Sequence, residues 1–193
     1  MVTVVHSPDH LLSLDEWDAL PEDNSRHYEL VEGVLIVSPK ALPQHQRICW
    51  RLAAQLEPQL SEAWTVVIDT ELAVDSTDPP TVRAPDSMVV RTAVYNQNPP
   101  RFDPADVLLA VEVLSKGTRR TDQITKFAEY SEAGITHYWL IDPVDPLSLI
   151  AYRLIGGEYE QVGEGAGRMS RELDGASVVL NLADLKPRVT KPE

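Results

Sequence analysis

Residues 107–114, Val-Leu-Leu-Ala-Val-Glu-Val-Leu, impose the strongest structural constraint in the sequence. They are almost entirely apolar and rich in β-formers, which predicts a strand buried on both faces in the middle of a sheet. Glu112 interrupts this run, and an ionised carboxylate in such a strand is costly unless it is paired or binds a metal. Two interpretations stay open: Glu112 ends the strand or pairs with an arginine such as Arg83, or it is a metal ligand.

The segment after this strand predicts a helix and a second buried strand. Helix signals cover residues 120–133 and end at Gly134, a residue suited to capping a helix. Residues 137–141 are again apolar. Residues 107–141 should therefore form strand, helix and strand, with the two strands parallel and the connection right-handed.

The two faces of the predicted helix differ in chemistry. Its expected apolar face consists of Ile124, Phe127 and Ala128. Asp122, Lys126 and Tyr130 follow one another at intervals of four residues and share the other face. Either Asp122 and Lys126 form an ion pair on the surface, or Lys126 turns inward to a metal and its water.

The remaining segments predict one α/β domain with added antiparallel strands. Its parts are an N-terminal helix and linker over residues 1–25, a core over about 26–155 and a C-terminal β extension over 156–193. The core should contain a hairpin over 28–37 and an amphipathic helix over 44–60. Further strands are expected at residues 64–68, 72–74, 87–90, 148–154, 158–162 and 176–180, with a turn at 163–167. The tryptophans expected to anchor the core are Trp17, Trp50, Trp64 and Trp139.

Composition restricts the class of site and partner. The single cysteine, Cys49, excludes an intramolecular disulfide and a thiolate-cluster zinc site. Apolar runs are far shorter than the roughly 20 residues of a membrane span, and the N-terminus lacks the pattern of a secretory signal, so a cytoplasmic protein is expected. The net charge of −13 argues against a polyanionic partner. Most of the excess lies at the chain ends, however, since residues 36–130 hold 12 acids and 10 bases.

Two acids are spaced so that they can share a metal ion. Asp86 follows Pro85 at the start of a short predicted strand, and Glu112 lies in a neighbouring buried strand. Neighbouring strands can place two such carboxylates side by side, which suits Mg²⁺ or Mn²⁺. A water on such an ion can be deprotonated near neutral pH and attack a phosphodiester.

An ordered set of short motifs runs through about residues 26–155. They are Tyr28-Glu29-Leu30-Val31-Glu32-Gly33, Pro39, His45, Arg83-Ala84-Pro85-Asp86, Val111-Glu112-Val113-Leu114-Ser115, Arg119-Arg120-Thr121-Asp122, Lys126, Tyr130, Gly134 and Tyr138-Trp139-Leu140-Ile141-Asp142-Pro143. With this set the chain resembles the Uma-type family of putative restriction endonucleases, within the PD-(D/E)XK nuclease superfamily. The resemblance implies a restriction-endonuclease-like core of helix, three-stranded meander, helix and strand. The N-terminal β-hairpin and the C-terminal β-strands would be additions to that core.

The resemblance also implies roles for individual residues. Asp86 and Glu112 would bind Mg²⁺ or Mn²⁺, and Lys126 would take the role of the third motif position, where this chain has Leu114 instead of lysine. Arg119 and Arg120 are expected to hold backbone phosphates. Glu29, His45 and Glu71 either add a third acid or a proton shuttle to the site or have a surface or structural role. Asp122 and Tyr130 are the further candidates for supporting the site.

Functions from different classes stay open. The first is a Mg²⁺-dependent endonuclease that hydrolyses DNA in the cytoplasm, without contact to a membrane, and as a homodimer when it cuts a duplex. The second is a nuclease fold that has lost catalysis and binds nucleic acid or protein. A small-molecule hydrolase using the same acids would be favoured if DNA binding were absent.

Overall fold

The apolar run at residues 107–114 forms strand β7 (Val107–Val113) inside a six-stranded sheet. The structure is a computed structural model that describes residues 8–21, 23 and 25–186; the remaining parts of the predicted N-terminal linker and C-terminal extension lie outside the described residues. All residues of β7 are buried, as the absence of polar alternation predicts. The spatial order of the sheet is β10 (Glu158–Ala166), β9 (Ser148–Ile155), β8 (His137–Asp142), β7, β6 (Ser87–Arg91) and β3 (Trp64–Val67).

The predicted unit of strand, helix and strand is built around β7. Strand β8 runs parallel to β7, with Glu112 opposite Leu140. Between them lie a π-helical turn (Thr121–Thr125) and helix α4 (Lys126–Glu132). On the other side of β7, strands β6 and β3 continue as an antiparallel meander. The predicted strand, helix and strand are therefore confirmed, whereas the predicted three-stranded meander is interrupted, because two strands of a second sheet lie between β3 and β6 in the chain.

A second sheet, of four strands, is joined to the first by the chain segment that contains Asp86. Its spatial order is β2 (Val34–Ser38), β1 (His27–Val31), β5 (Thr81–Arg83) and β4 (Leu72–Asp75). Glu32 and Gly33 connect β1 and β2 with φ angles of 48° and 76°, as a tight hairpin requires. Residues 84–86 carry the chain from β5 to β6. Asp86 consequently lies at the junction of the two sheets.

Helices cover both faces of the six-stranded sheet. Helix α2 (Pro43–Leu56) buries four side chains in the core on one face: Ile48, Cys49, Leu52 and Leu56. Pro58 lies in the short 3₁₀ turn (Glu57–Gln59) that ends this helix, so the α-helix is shorter than the predicted 44–60. Strands β11 (Arg168–Leu173) and β12 (Ala176–Asn181) form a hairpin on the same side, and α4 packs on the opposite face through Tyr130.

Short helices complete the described chain. In α1 (Leu14–Asp18), Ser13 and Glu16 form a capping box, with Ser13 Oγ accepting from the backbone N–H of Glu16. Helix α3 (Thr92–Tyr95) follows β6. Every helix among the described residues is too short or too polar to span a bilayer.

The predicted apolar face of the helix over residues 120–133 was wrong except at Phe127, which packs against the core, and Lys126 points inward, one of the two orientations left open. Ile124 is 60% exposed and Ala128 is also exposed, whereas Asp122, Lys126 and Tyr130 are buried. The inward face is stable because acids on the sheet pair with the lysine. Hydrophobic periodicity cannot reveal such a face, since it assumes an apolar partner surface.

Other boundaries also differ from the predictions. Strands β5 and β11 were not predicted, and the segment predicted as a turn at residues 163–167 belongs to β10 up to Ala166. Only Gly167 turns, with a φ of 78°. Trp50 is 53% exposed and therefore does not anchor the core. It lies on the outer face of α2.

One buried histidine should make folding stability depend on pH. Burial, assisted by Arg153, lowers the pKa of His137 from 6.5 to about 4. Its imidazole therefore stays neutral in the folded chain while the unfolded chain takes up a proton, so stability should fall as pH drops through 6.5 towards 4. We expect this residue to account for about 2 kcal/mol of lost unfolding free energy between pH 7 and pH 5.

Urea unfolding of the wild type and of His137→Gln at both pH values measures this contribution. The difference between the two proteins isolates the histidine, because the carboxylates titrate in both. An equal loss of stability in the variant would contradict the prediction.

Candidate active site

Glu112 lies one residue before the end of β7, on the sheet face that α4 covers. Its side chain is almost fully buried. One carboxylate oxygen, Oε1, accepts two hydrogen bonds: Lys126 Nζ donates at 2.9 Å and the Tyr130 hydroxyl donates at 3.0 Å. Burial raises the pKa of Glu112 well above its usual range, and Lys126 opposes that rise. The carboxylate is therefore paired, but with a lysine and a tyrosine rather than an arginine.

Lys126 is the cation at the centre of this cluster. Its Nζ lies 2.9 Å from Glu112 Oε1, 3.2 Å from Glu29 Oε1 and 3.7 Å from Asp122 Oδ1. Burial by itself lowers the pKa of Lys126, but the three carboxylates outweigh it and hold the pKa above its usual range. Lys126 is consequently protonated at neutral pH.

Arg83 holds the second acid of the cluster rather than Glu112. Its guanidinium donates to Glu29 Oε2 at 3.0 Å and makes two hydrogen bonds to Glu129, at 2.6 and 2.8 Å. Burial raises the pKa of Glu29, but Lys126 and Arg83 outweigh it, and the pKa lies below its usual range. Glu29 therefore stays ionised. It links β1 to α4 through Lys126.

Asp86 reaches β7 from the junction of the two sheets. Its Oδ2 accepts the backbone N–H of Val113 at 2.7 Å and lies 3.0 Å from His45 Nε2. The same His45 nitrogen is 3.1 Å from the carbonyl oxygen of Val113. Because Val113 follows Glu112 directly, the structure brings the two predicted metal ligands to the same end of one strand. His45, at the start of α2, holds the first of them.

The lysine of this site comes from α4 and not from the third motif position, residue 114. Leu114 is buried in the apolar core on the α4 face, so the third motif position supplies no charge. The π-helical turn places Asp122 one turn before Lys126, and both face inward. Neither oxygen of Asp122 has a hydrogen-bond partner among the described residues, and burial raises its pKa. Lys126, on α4, is therefore the lysine that lies next to Glu112.

Several predicted residues lie apart from this cluster. Glu71 accepts from the indole of Trp17 at 3.1 Å and from Arg101 at 3.3 Å. Arg119 donates to Asp142 at 2.9 Å, while Arg120 is exposed. None of the recorded hydrogen bonds or ion pairs of the described chain joins these three predicted residues to Glu112 or Asp86.

His45 has a neighbour that was not predicted from the sequence, Cys49. The ligand atoms of His45, Cys49 and Asp86 all lie within 4.8 Å of one another, and Cys49 Sγ is 3.6 Å from His45 Nδ1. The spacing of four residues on one helix was a signal for this contact. Burial raises the pKa of the Cys49 thiol, which keeps it protonated and unsuited to bind a hard cation.

The carboxylates of the site outnumber its cations. Lys126 is shared by Glu112, Glu29 and Asp122, and Asp86 lies beside them. Among the described residues, the hydrogen bonds to Asp86 go to its Oδ2 and those to Glu112 go to its Oε1. Asp86 Oδ1 and Glu112 Oε2 accept none from these residues. Carboxylate oxygens are the donors that Mg²⁺ and Mn²⁺ prefer. The residues present thus fit a hard divalent cation.

The chain matches a known protein family in sequence and a solved structure in fold. Residues 14–183 match the family model Uma2, described as "Putative restriction endonuclease". The fold is similar to the crystal structure of a putative nuclease belonging to DUF820 from Anabaena variabilis, with a TM-score of 0.65 and 19% identity over 90% of this chain and 97% of that chain. No curated protein matches the sequence. At this identity the structural likeness concerns the fold.

Proposed function

The chain belongs to the Uma2 family of putative restriction endonucleases, and from this premise we propose that it is a metal-dependent endonuclease that hydrolyses DNA phosphodiester bonds. The observation that carries the proposal is the convergence of Asp86 and Glu112 at one end of β7, next to the buried Lys126. Carboxylates on neighbouring strands with an adjacent lysine suit metal-assisted phosphodiester hydrolysis.

Asp86 and Glu112 would hold Mg²⁺ or Mn²⁺ through the oxygens that accept no recorded hydrogen bond. When bound, the ion would supply an activated water and offset charge on the phosphate. It would also offset the excess negative charge of the cluster, which supports its presence on electrostatic grounds.

Lys126 would act as a cation rather than as a general base. Three carboxylates raise its pKa, so it has no tendency to take up a proton from water. Its ammonium group can orient a water or stabilise negative charge on the phosphate. Tyr130 positions Glu112, and His45 positions Asp86.

Phosphates on either side of the scissile bond need further cations. Arg120 is exposed and free of recorded ion pairs in the described chain, whereas Arg119 would exchange Asp142 for a phosphate. We propose both as backbone contacts, with DNA as the substrate and a homodimer as the form that cuts both strands.

A second candidate is a binding module that has lost catalysis. The observation in its favour is Leu114, which replaces a lysine of the motif by a buried apolar residue. Such a module would bind nucleic acid or protein without needing a metal.

Replacing Asp86 by asparagine separates the two candidates. Asp86→Asn removes one charged oxygen ligand, and we expect it to weaken Mn²⁺ binding by at least about 100-fold. Isothermal titration calorimetry of the whole chain measures the affinity, and Asp106→Asn, an acid near the opposite end of β7, is the matched control. Wild-type Mn²⁺ binding that does not depend on Asp86, or no binding at all, would favour the binding module.

A further inference from the structure

A groove between α2 and β12 combines an exposed aromatic ring with arginines. Its volume is about 470 Å³, and its lining includes Trp50, Arg51, Gln55, Arg168, Asn181 and Asp184. Trp50 is 53% exposed, and the guanidinium carbons of Arg47 and Arg51 lie 5.1 and 5.4 Å from the centre of its ring. The groove shares none of these residues with the candidate active site.

The charge of this surface is opposite to that of the chain as a whole. The protein has a net charge of −13, yet the 24 residues between Glu32 and Glu57 contain no aspartate or glutamate. The same stretch holds Lys40, Arg47 and Arg51. Such a local departure favours contact with an anionic ligand.

Arg168, on the hairpin that faces α2, is a second arginine in the lining of the groove, which contains one acid, Asp184. Arg168 is exposed at the start of β11. Asp184 accepts a hydrogen bond from Asn181 Nδ2 at 2.6 Å, which engages part of its carboxylate. Arg51 Nε is buried and has no hydrogen-bond partner among the described residues, so the terminal nitrogens of its guanidinium are the ones that can reach a ligand. The groove therefore retains a positive charge and hydrogen-bonding capacity for a ligand.

Side-chain hydrogen bonds from two glutamines connect the two elements that form the groove. Gln55 Nε2 donates to the carbonyl oxygen of Asn181 at 3.1 Å, and the Asn181 N–H donates to Gln55 Oε1 at 2.8 Å. Gln59 makes the same pair of contacts with Val179, at 2.9 and 2.8 Å. These four hydrogen bonds hold β12 against α2 and against the 3₁₀ turn that ends it. They thereby hold the hairpin that carries Arg168 next to the helix that carries Arg51.

The groove lies along the same helix as the candidate active site. His45, which contacts Asp86, precedes Trp50 by five residues and Arg51 by six. At a rise of about 1.5 Å per residue, the groove begins about 8 Å along the helix axis from His45. The same five residues turn about 140° round the helix axis, so a strand of several nucleotides would connect the groove with the active site.

We propose that this groove binds the phosphodiester backbone of single-stranded nucleic acid next to the site of cleavage, with Trp50 stacking on an unpaired base. Arg51 and Arg168 pair with phosphates, and the exposed Arg47 can leave the ring face to a base and bind a phosphate instead. An indole ring flanked by guanidinium groups matches the alternation of bases and phosphates along a strand. The inference rests on the proposed function, since it names the form of substrate for that site.

Binding of a fluorescent oligonucleotide with a single-stranded tail tests the groove. Fluorescence anisotropy is measured with a chelator present and across a range of salt concentrations, so that cleavage does not interfere. Trp50→Ala should weaken binding roughly 10-fold by loss of stacking. The double variant Arg51→Gln and Arg168→Gln should lower the salt slope by about 1.4, since each phosphate contact to a single strand contributes about 0.7.

Two exposed residues elsewhere serve as matched controls. Tyr95→Ala removes an exposed ring on α3, and Arg153→Gln removes an exposed positive charge on β9. Both should bind as the wild type does. Arg168→Gln alone, at an exposed position, keeps the test valid if the change at Arg51 lowers the unfolding temperature.

The outcomes separate the groove from the proposed function. Weaker binding by the groove variants supports the groove, and it does so even if the wild type with Mg²⁺ cuts no DNA, in which case the proposed function alone fails. If the wild type cuts DNA while the groove variants bind as tightly as it does, the groove proposal is overturned. Absence of oligonucleotide binding by the wild type at low salt also overturns it.

Discussion

Replacing Glu112 with glutamine is expected to lower the rate of DNA cleavage by at least about 1,000-fold while the chain stays folded. The amide keeps the size of the side chain and can still accept from Lys126 and Tyr130. It removes the charged oxygen that a divalent cation needs. The variant should therefore lose metal-dependent chemistry without leaving a cavity.

Cleavage of plasmid and linear DNA with Mg²⁺ or Mn²⁺ measures the rate, and thermal unfolding measures the fold. The matched control is Glu132→Gln, an exposed acid at the end of the same α4 that carries Lys126. Its cleavage rate should equal that of the wild type. Cleavage that persists in Glu112→Gln, or in wild type treated with a chelator, would contradict the proposed mechanism.

Lys126→Met is expected to destabilise the fold by about 3–5 kcal/mol, because it removes one partner of a buried ionic cluster. Lys126 is the cation shared by Glu112, Glu29 and Asp122. Without it, Glu112 and Asp122 must take up protons or remain buried as unpaired charges. The same substitution should reduce cleavage, since it also removes the cation next to the phosphate site.

Urea unfolding at pH 7 measures the stability of Lys126→Met. Adding Glu112→Gln should recover part of the loss, because the double variant has one buried charge fewer; the double-mutant cycle gives the coupling between the two residues. Lys126→Arg, which keeps the charge, provides a second measurement if the methionine variant does not fold. Equal stability of Lys126→Met and wild type would show that Lys126 does not balance the buried acids.

Local patterns in the sequence predicted most of the elements that carry the site. Local hydrophobic patterns predicted β7, β8 and α2: the two strands are continuous apolar runs, and the helix is amphipathic. Each of them buries an apolar surface against an apolar partner. The capping box at Ser13 and the positive φ of Gly33 are likewise local properties. Short strands such as β5 lacked such a signal, because three residues contain too little periodicity.

The candidate site was predicted in part, for a different reason. Asp86 and Glu112 are recognisable as acids beside or within apolar strands, and the structure brings them together at Val113. Glu71 has the same residue type but pairs with Arg101 elsewhere in the fold. Residue type at one position carries no information about such long-range partners.

The buried strand with Glu112 shows what the sequence alone determined about this protein. The sequence places a carboxylate within an apolar strand, where burial of its charge costs free energy, and it therefore requires a partner for that carboxylate. Which partner it has was decided by the tertiary structure: α4 turns Lys126 and Tyr130 inward, and β1 brings Glu29 to the same lysine. The physical reason is that ion pairing depends on distances between segments far apart in the chain, whereas burial of an apolar run is encoded within the run itself.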